Sequence, residues 1–120
     1  MPAGSILVAD DDAAIRTVLN QALSRAGYEV RSTSNAATLW RWISQGEGDL
    51  VITDVVMPGL NGDQLVARLR AQRAGLRVLY MSGFSEEAVV HQGVAPGEHF
   101  LSKPFTPSDL AHKVREVLGN

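Results

Sequence analysis

Asp10-Asp11-Asp12, Asp54, Ser82 and Lys103 are the residues of this 120-residue chain whose types could do chemistry together. Each stands at the end of a short apolar run. Ile6-Leu7-Val8-Ala9 leads into the three aspartates, Leu50-Val51-Ile52-Thr53 into Asp54, Val78-Leu79-Tyr80-Met81 into Ser82, and Phe100-Leu101-Ser102 into Lys103. Carboxylates brought to one place repel unless a cation joins them. Mg²⁺, held by one or two carboxylates with waters and a phosphoryl oxygen, meets that need, because it is a hard ion that takes oxygen ligands. A lysine and a hydroxyl beside it supply fixed positive charge and a hydrogen-bond donor for the oxygens of a phosphoryl group in transfer.

The elements that must position these residues are strands and helices in alternation. Apolar runs of four residues stopped by polar ones read as strands buried on both faces. Tyr28-Glu29-Val30-Arg31-Ser32 alternates instead, which marks a strand with one wetter face at a sheet edge. Between the strands, Ile15, Val18, Leu19, Ala22 and Leu23 repeat at helical spacing, with Asp12 as N-cap and Gly27 beyond the end. Asn35 caps a second helix whose stripe is Ala36, Leu39, Trp40 and Ile43, with Trp42 pointing elsewhere and half covered, and Gly46 and Gly48 ending it. A loop with Pro58, Gly59 and Gly62 precedes a third helix carrying Leu65, Val66 and Leu69. The last helix opens on Thr106, Pro107 and Asp109 and continues through Leu110, Val114, Val117 and Leu118. Residues 85–99 are the weak stretch. Only Ala88, Val89 and Val90 favour a fourth helix there, and the segment 93–98, with Gly93, Pro96 and Gly97, should be the least ordered inner part of the chain.

Five βα units predict an α/β fold: a doubly wound, flavodoxin-like, five-stranded parallel sheet of order 2-1-3-4-5 between two helix layers. In such a sheet the C-terminal ends of all strands share one rim, where ligands bind. Asp10, Asp11, Asp12, Asp54, Ser82 and Lys103 all meet on that rim; Thr33 and Ser34, at the end of the second strand, look incidental.

Composition bounds the rest. A chain of 120 residues with 45% apolar and 20% charged residues suits one domain, residues 1–120, with a core of its own. A net charge of −2 gives no electrostatic footprint for nucleic acid or an acidic membrane. There is no cysteine, so disulfides and thiolate chemistry are excluded, and a reducing compartment is favoured. Residues 1–5 carry no positive charge and the first apolar run is too short for a signal core or a span, so a cytoplasmic location is expected.

Four segments, VADDDAAIR, ITDVVMPGLNG, YMSG and LSKPF, make the chain resemble a two-component response-regulator receiver domain over essentially its whole length. The half through roughly Met57 resembles the receivers of NtrC-type nitrogen regulators. The half with YMSGF and LSKPF looks more like receivers fused to hybrid histidine kinases, as a mosaic would. The resemblance implies that Asp54 is the phospho-acceptor and that Asp10, Asp11, Asp54 and the Val56 backbone carbonyl hold Mg²⁺, for which Mn²⁺ can substitute. It implies that Lys103 contacts the phosphoryl group, that Ser82 and Phe100 are the switch pair, and that the peptide before Pro104 is cis. It further implies a signalling switch and not a metabolic enzyme, read out on the face of the fourth helix, fifth strand and fifth helix. The implied partners are a sensor histidine kinase or phosphotransfer protein and an effector or kinase domain outside this chain. No direct nucleic-acid or membrane binding follows, and the oligomeric expectation is a monomer or a weak dimer dependent on phosphorylation.

Plainer readings were weighed against these. Asp12 serves best as a helix cap. His91, His99 and His112 lack ligand spacing and are expected at the surface. A Mg²⁺-dependent phosphatase working through an aspartyl phosphate would want a second acid two residues after its nucleophile, where Val56 stands. An FMN carrier would want a Ser/Thr-rich phosphate loop after the first strand, where Asp10, Asp11 and Asp12 would repel the phosphate.

Overall fold

The structure is a computed structural model, which describes residues 4–54, 56–57, 60–61, 67–68, 70–71, 73–83 and 99–119. Its elements are β1 (Ser5–Ala9), α1 (Ala13–Arg25), β2 (Glu29–Thr33), α2 (Ala36–Ser44), β3 (Leu50–Asp54), β4 (Val56–Met57), β5 (Leu60–Asn61), β6 (Arg77–Ser82), β7 (His99–Ser102) and a C-terminal helix (Pro107–Leu118). The main sheet is parallel, with order β2-β1-β3-β6-β7. That is the 2-1-3-4-5 order read from the apolar runs, with the alternating strand at an edge.

Strands covered on both faces must be apolar at every position, and the two cores show why. Ile6, Val8, Leu50, Ile52, Leu79 and Met81 face α1 and the C-terminal helix, meeting Leu19, Leu23, Leu110 and Val114. The intervening Leu7, Ala9, Val51, Val78 and Tyr80 face the other way, onto Leu39, Trp42 and Ile43 of α2. The period of two along each strand thus splits the apolar residues between two layers.

Helix ends follow the residues expected of them. The Asp12 carboxylate accepts the Ala14 N–H at 2.9 Å, and the Asn35 side chain accepts the Thr38 N–H at 2.8 Å. Thr106 and Asp109 form a reciprocal capping box with Pro107 at the first turn. At Gly48, before β3, φ is +85° and a Cβ would lie 2.7 Å from Leu7, so both backbone and packing require glycine.

Three readings are corrected. Trp42, read as half covered, is 8% exposed and part of the α2 core, while Trp40, read as core, is only partly buried against it. The cause lies in the neighbouring strand: Arg31 of β2 lies over the Trp42 ring, 4.3 Å from its centroid, and closes that side of the helix. Val18 is 42% exposed although it falls on the α1 stripe, and the buried residues of that helix are Leu19 and Leu23. Between Asp54 and the third helix, read as a loop, β4 and β5 pair antiparallel, Val56 with Asn61 and Met57 with Leu60. Residues 67, 68, 70 and 71 are helical. Leu65, Val66 and Leu69, Pro58, Gly59 and Gly62, the expected fourth helix and the segment 93–98 lie outside the described residues.

Candidate functional site

The sheet delivers its polar residues to one rim. Asp10 follows β1, Asp54 is the last residue of β3, Ser82 is the last of β6, and Lys103 directly follows β7. The register fixes their spacing: Ala9 pairs with Thr53, Asp54 with Met81, and Ser82 with Ser102. Asp10, Asp11 and Asp54 each present a carboxylate oxygen, and these lie within 4.8 Å of one another.

Lys103 enters this group from the far side. Its ammonium donates to Asp10 Oδ2 at 2.9 Å and to Asp54 Oδ2 at 3.1 Å. Its backbone N–H donates to the Ser82 carbonyl at 2.8 Å, which locks the end of β7 to the end of β6. The Lys103–Pro104 peptide is cis. Burial, the largest single influence on this ammonium, weakens its hold on its proton. The hydrogen bonds to Asp10 and Asp54 and the charges of those carboxylates together outweigh it, so the pKa stands above the ordinary 10.5.

Asp10 is fully buried, and each of its polar groups has a partner. Its N–H donates to the Thr33 carbonyl at 3.1 Å, its Oδ1 accepts the Asp12 N–H at 2.9 Å, and its Oδ2 accepts Lys103. Its carbonyl accepts Arg16 Nη1 at 2.6 Å. Asp11 is exposed beside it. The Thr53 hydroxyl donates to the Asp54 carbonyl at 3.0 Å. Ser82 is buried, and Phe100, one strand further, is half-buried against the α2 core. His99 and His112 are exposed; His91 lies outside the described residues.

Among the described residues Lys103 pairs with two of these three carboxylates, Asp10 and Asp54, so an excess of negative charge is left on the rim. All the donors are hard oxygens, and the Asp11 carboxylate faces solvent. That donor set fits a divalent cation of the Mg²⁺ kind, which keeps several waters and takes few protein ligands. Asp10, Asp11 and Asp54 would hold it.

From the sequence Thr33 looks incidental and Arg16 carries no signal of its own. Thr33 acts through its carbonyl, which no residue type reports. Arg16 lies six residues after Asp10 and reaches back over the first turn of α1, a spacing that matches no helical or strand period.

The chain matches the model of the response regulator receiver domain over residues 6–115 and belongs to that family. Among its relatives, the DNA-binding transcriptional regulator NtrC of Bradyrhizobium sp. (strain RP501 Parasponia) is 60% identical, over 99% of this chain and 25% of that protein. This chain therefore spans about a quarter of that relative's length. The structure of the chemotaxis protein CheY4 of Vibrio cholerae matches with a TM-score of 0.84 at 28% identity, covering 94% of this chain and 97% of that one. The receiver domain of the hybrid histidine kinase CckA matches with a TM-score of 0.80 at 31% identity, covering 96% of this chain and 99% of that one. The NtrC likeness thus runs well past Met57, and the hybrid-kinase likeness extends back before it.

The fold and family together define a receiver domain of the two-component kind, NtrC-type in sequence and CheY-like in architecture. Receivers of this family accept a phosphoryl group and act in signalling. Among the described residues no helix is long and apolar enough to cross a membrane.

Proposed function

We propose that Asp54 is the phospho-acceptor of this chain and that Asp10, Asp11, Asp54 and the Val56 carbonyl hold the metal. The observation that carries this is the shared ammonium of Lys103, bonded to both Asp10 and Asp54 within the group of three converging carboxylates. Asp54 ends the central strand β3, so its carboxylate is held at the middle of the rim, with Lys103 and the Ser82 strand end on one side and Asp10 and Asp11 on the other.

The donor is the phosphohistidine of a sensor kinase or phosphotransfer protein. An Asp54 oxygen attacks the phosphorus, the P–N bond breaks, and the imidazole leaves with a proton from solvent. Bound Mg²⁺, or Mn²⁺ in its place, supplies positive charge to the phosphoryl oxygens. Lys103 turns its ammonium from the Asp54 carboxylate toward those same oxygens, which stay at hydrogen-bonding distance once the group is on Asp54. Water later hydrolyses the acyl phosphate. The chain so catalyses only its own phosphorylation and dephosphorylation.

Readout runs through Ser82 and Phe100. A phosphoryl oxygen on Asp54 attracts the Ser82 hydroxyl, that strand end moves inward, and the half-buried Phe100 ring turns further in. The face of fourth helix, fifth strand and fifth helix then changes its affinity for an effector domain outside residues 1–120. This is a population shift between two states set by differential contacts. The domain works in the cytoplasm as a monomer or weak phosphorylation-dependent dimer, touching neither nucleic acid nor membrane itself. Acetyl phosphate with Mg²⁺ should add one phosphoryl group by intact mass, with none added in EDTA. Labelling that ignores the metal overturns the reading.

A further inference from the structure

Arg16 is the feature of the rim that phosphoryl transfer as described does not use. It sits in the first turn of α1, and its backbone N–H donates to the Asp12 carbonyl at 3.1 Å, as helix geometry requires. Its side chain does something else. It folds back over the β1–α1 turn and places Nη1 2.6 Å from the Asp10 carbonyl, with the guanidinium half-buried.

The Asp10 carbonyl needs such a donor. The β1–β2 and β1–β3 registers both end at Ala9; the Asp10 N–H still reaches the Thr33 carbonyl of β2, while the Asp10 carbonyl turns to Arg16. A buried carbonyl left unbonded is costly, and a charged donor is the strongest partner available to it. An apolar core with a capping water could meet that need as well. What a water could not do is hold the peptide between Asp10 and Asp11 against the helix that follows. The guanidinium ties the end of β1 to the body of α1, and the peptide it grips carries the carboxylates of Asp10 and Asp11 on either side.

We infer that Arg16 is a positioning residue for the metal: by fixing the Asp10–Asp11 peptide it sets the angle at which the two carboxylates are presented. This rests on the assignment of Asp10 and Asp11 as metal-holding residues. Two effects of Arg16 oppose each other there. Its positive charge lies at the Asp10 carbonyl, beside the acidic rim, and by itself disfavours a cation. Its grip on the peptide favours one, because groups that orient metal ligands typically contribute about 10–100-fold in affinity. Among the described residues Arg16 forms no ion pair with these carboxylates and meets the backbone carbonyl instead, so its charge effect is the smaller of the two. Orientation therefore wins, and removing Arg16 weakens metal binding despite deleting a repulsive charge.

The opposing signs make the test sharp. Mg²⁺ affinity is measured by calorimetry on the whole chain, alongside the Mg²⁺ concentration giving half-maximal labelling by acetyl phosphate. Arg16→Met should lower the affinity and raise the half-maximal Mg²⁺ concentration, each at least tenfold, while the labelling rate at saturating Mg²⁺ returns to within a few-fold of the parent. Arg16→Lys, which keeps the charge and one donor, should recover most of the affinity. Arg25→Met, at the far end of the same helix, removes an equal charge from an exposed site and should change affinity less than twofold. Unchanged or tighter Mg²⁺ binding by folded Arg16→Met overturns the inference and leaves the assignment of Asp10 and Asp11 intact. Absence of any Mg²⁺ binding by the parent chain overturns that assignment instead. If Arg16→Met does not fold, the parent decides: the Arg16 guanidinium and the Asp11 amide should shift in NMR with one Mg²⁺ midpoint, and an unmoved guanidinium signal refutes the coupling.

Discussion

The two ends of the sheet are built on opposite electrostatic plans. At the end where β1, β3 and β6 begin, charges are paired and backbone groups are answered. Asp49 accepts the Ser5 N–H at 2.8 Å and returns its own N–H to the Ser5 carbonyl at 2.7 Å. Arg73 donates to the Glu47 and Gly48 carbonyls at 2.6 and 2.8 Å, and Arg31 joins Glu47 while covering Trp42. At the other end three carboxylates converge, and among the described residues the Lys103 ammonium pairs with two of them. The first arrangement stabilises the fold; the second stores repulsion that a bound cation relieves. Stability and function thus occupy opposite poles of one domain: removing the exposed Asp11 charge should stabilise the metal-free fold, whereas removing Arg73 should weaken it.

The largest effect belongs to the functional pole. Asp54→Ala should abolish labelling by acetyl phosphate entirely, because Asp54 is the one carboxylate that ends the central strand. Stoichiometric labelling of that variant, seen by intact mass, would refute the assignment. Next comes Lys103→Met in EDTA. Removing one partner of a fully buried pair costs about 3–5 kcal/mol. Asp10 is fully buried but Lys103 is a fifth exposed, so the loss should sit at the lower end, about 3 kcal/mol by urea unfolding. Mg²⁺ should recover part of it by taking the place of the ammonium. A variant as stable as the parent in EDTA would mean that Asp10 finds its counter-charge elsewhere.

At the opposite pole, Arg73→Ala leaves two loop carbonyls without their charged donor and should cost about 1–2 kcal/mol. It should leave labelling unchanged, since it touches no residue of the acidic rim. Loss of labelling in a folded Arg73→Ala protein would break the separation between the poles.

The contrast between poles also explains what could be read from the sequence. Asp10, Asp54 and Ser82 stand where a largely apolar run stops, and such runs exist because both strand faces are covered, so burial of β1, β3 and β6 marked their ends; Lys103 follows the half-covered β7. Asp12, Asn35 and Thr106 were legible as caps because their job is local. Trp40 and Trp42 were exchanged because helical period gives the width of a buried face but not its rotation, which the Arg31 side chain of another element decides. Two-residue strands such as β4 and β5 are too short to show any period. Thr33 and Arg16 contribute through backbone carbonyls of partners distant in sequence or out of helical phase, and composition carries no trace of that.

A smaller effect separates metal relief from plain charge removal. Asp11→Asn should raise the melting temperature in EDTA slightly, since it deletes one of the repelling charges. It should also abolish most of the Mg²⁺-dependent gain, which for the parent reaches about 1.4 kcal/mol at ten times Kd. Thermal melts with equal Mg²⁺ gain in parent and variant would show that Asp11 is not a principal ligand.

The finest distinction lies in alkaline unfolding, where the sign can be worked out. The Lys103 pKa is raised in the folded chain, so the ammonium binds its proton more tightly there than in the unfolded chain. Its contribution to stability is therefore fully present below the ordinary value of 10.5 and is lost as pH climbs through the higher folded value. One group can add at most about 1.4 kcal/mol per pH unit to that fall. Other groups of a protein ionise in alkali as well, so the parent curve alone is not diagnostic. The difference between parent and Lys103→Met, measured in EDTA from pH 9 upward, isolates the one group. It should be flat at first and then narrow above about pH 10.5, the parent losing the advantage that the variant never had. Added Mg²⁺ should flatten the narrowing, because a cation between Asp10, Asp11 and Asp54 takes over the counter-charge that the ammonium provides in its absence. A difference that stays constant through the alkaline range would place the stabilisation in the packing of the lysine stem, and the acidic rim would then owe less to its charge than to its shape.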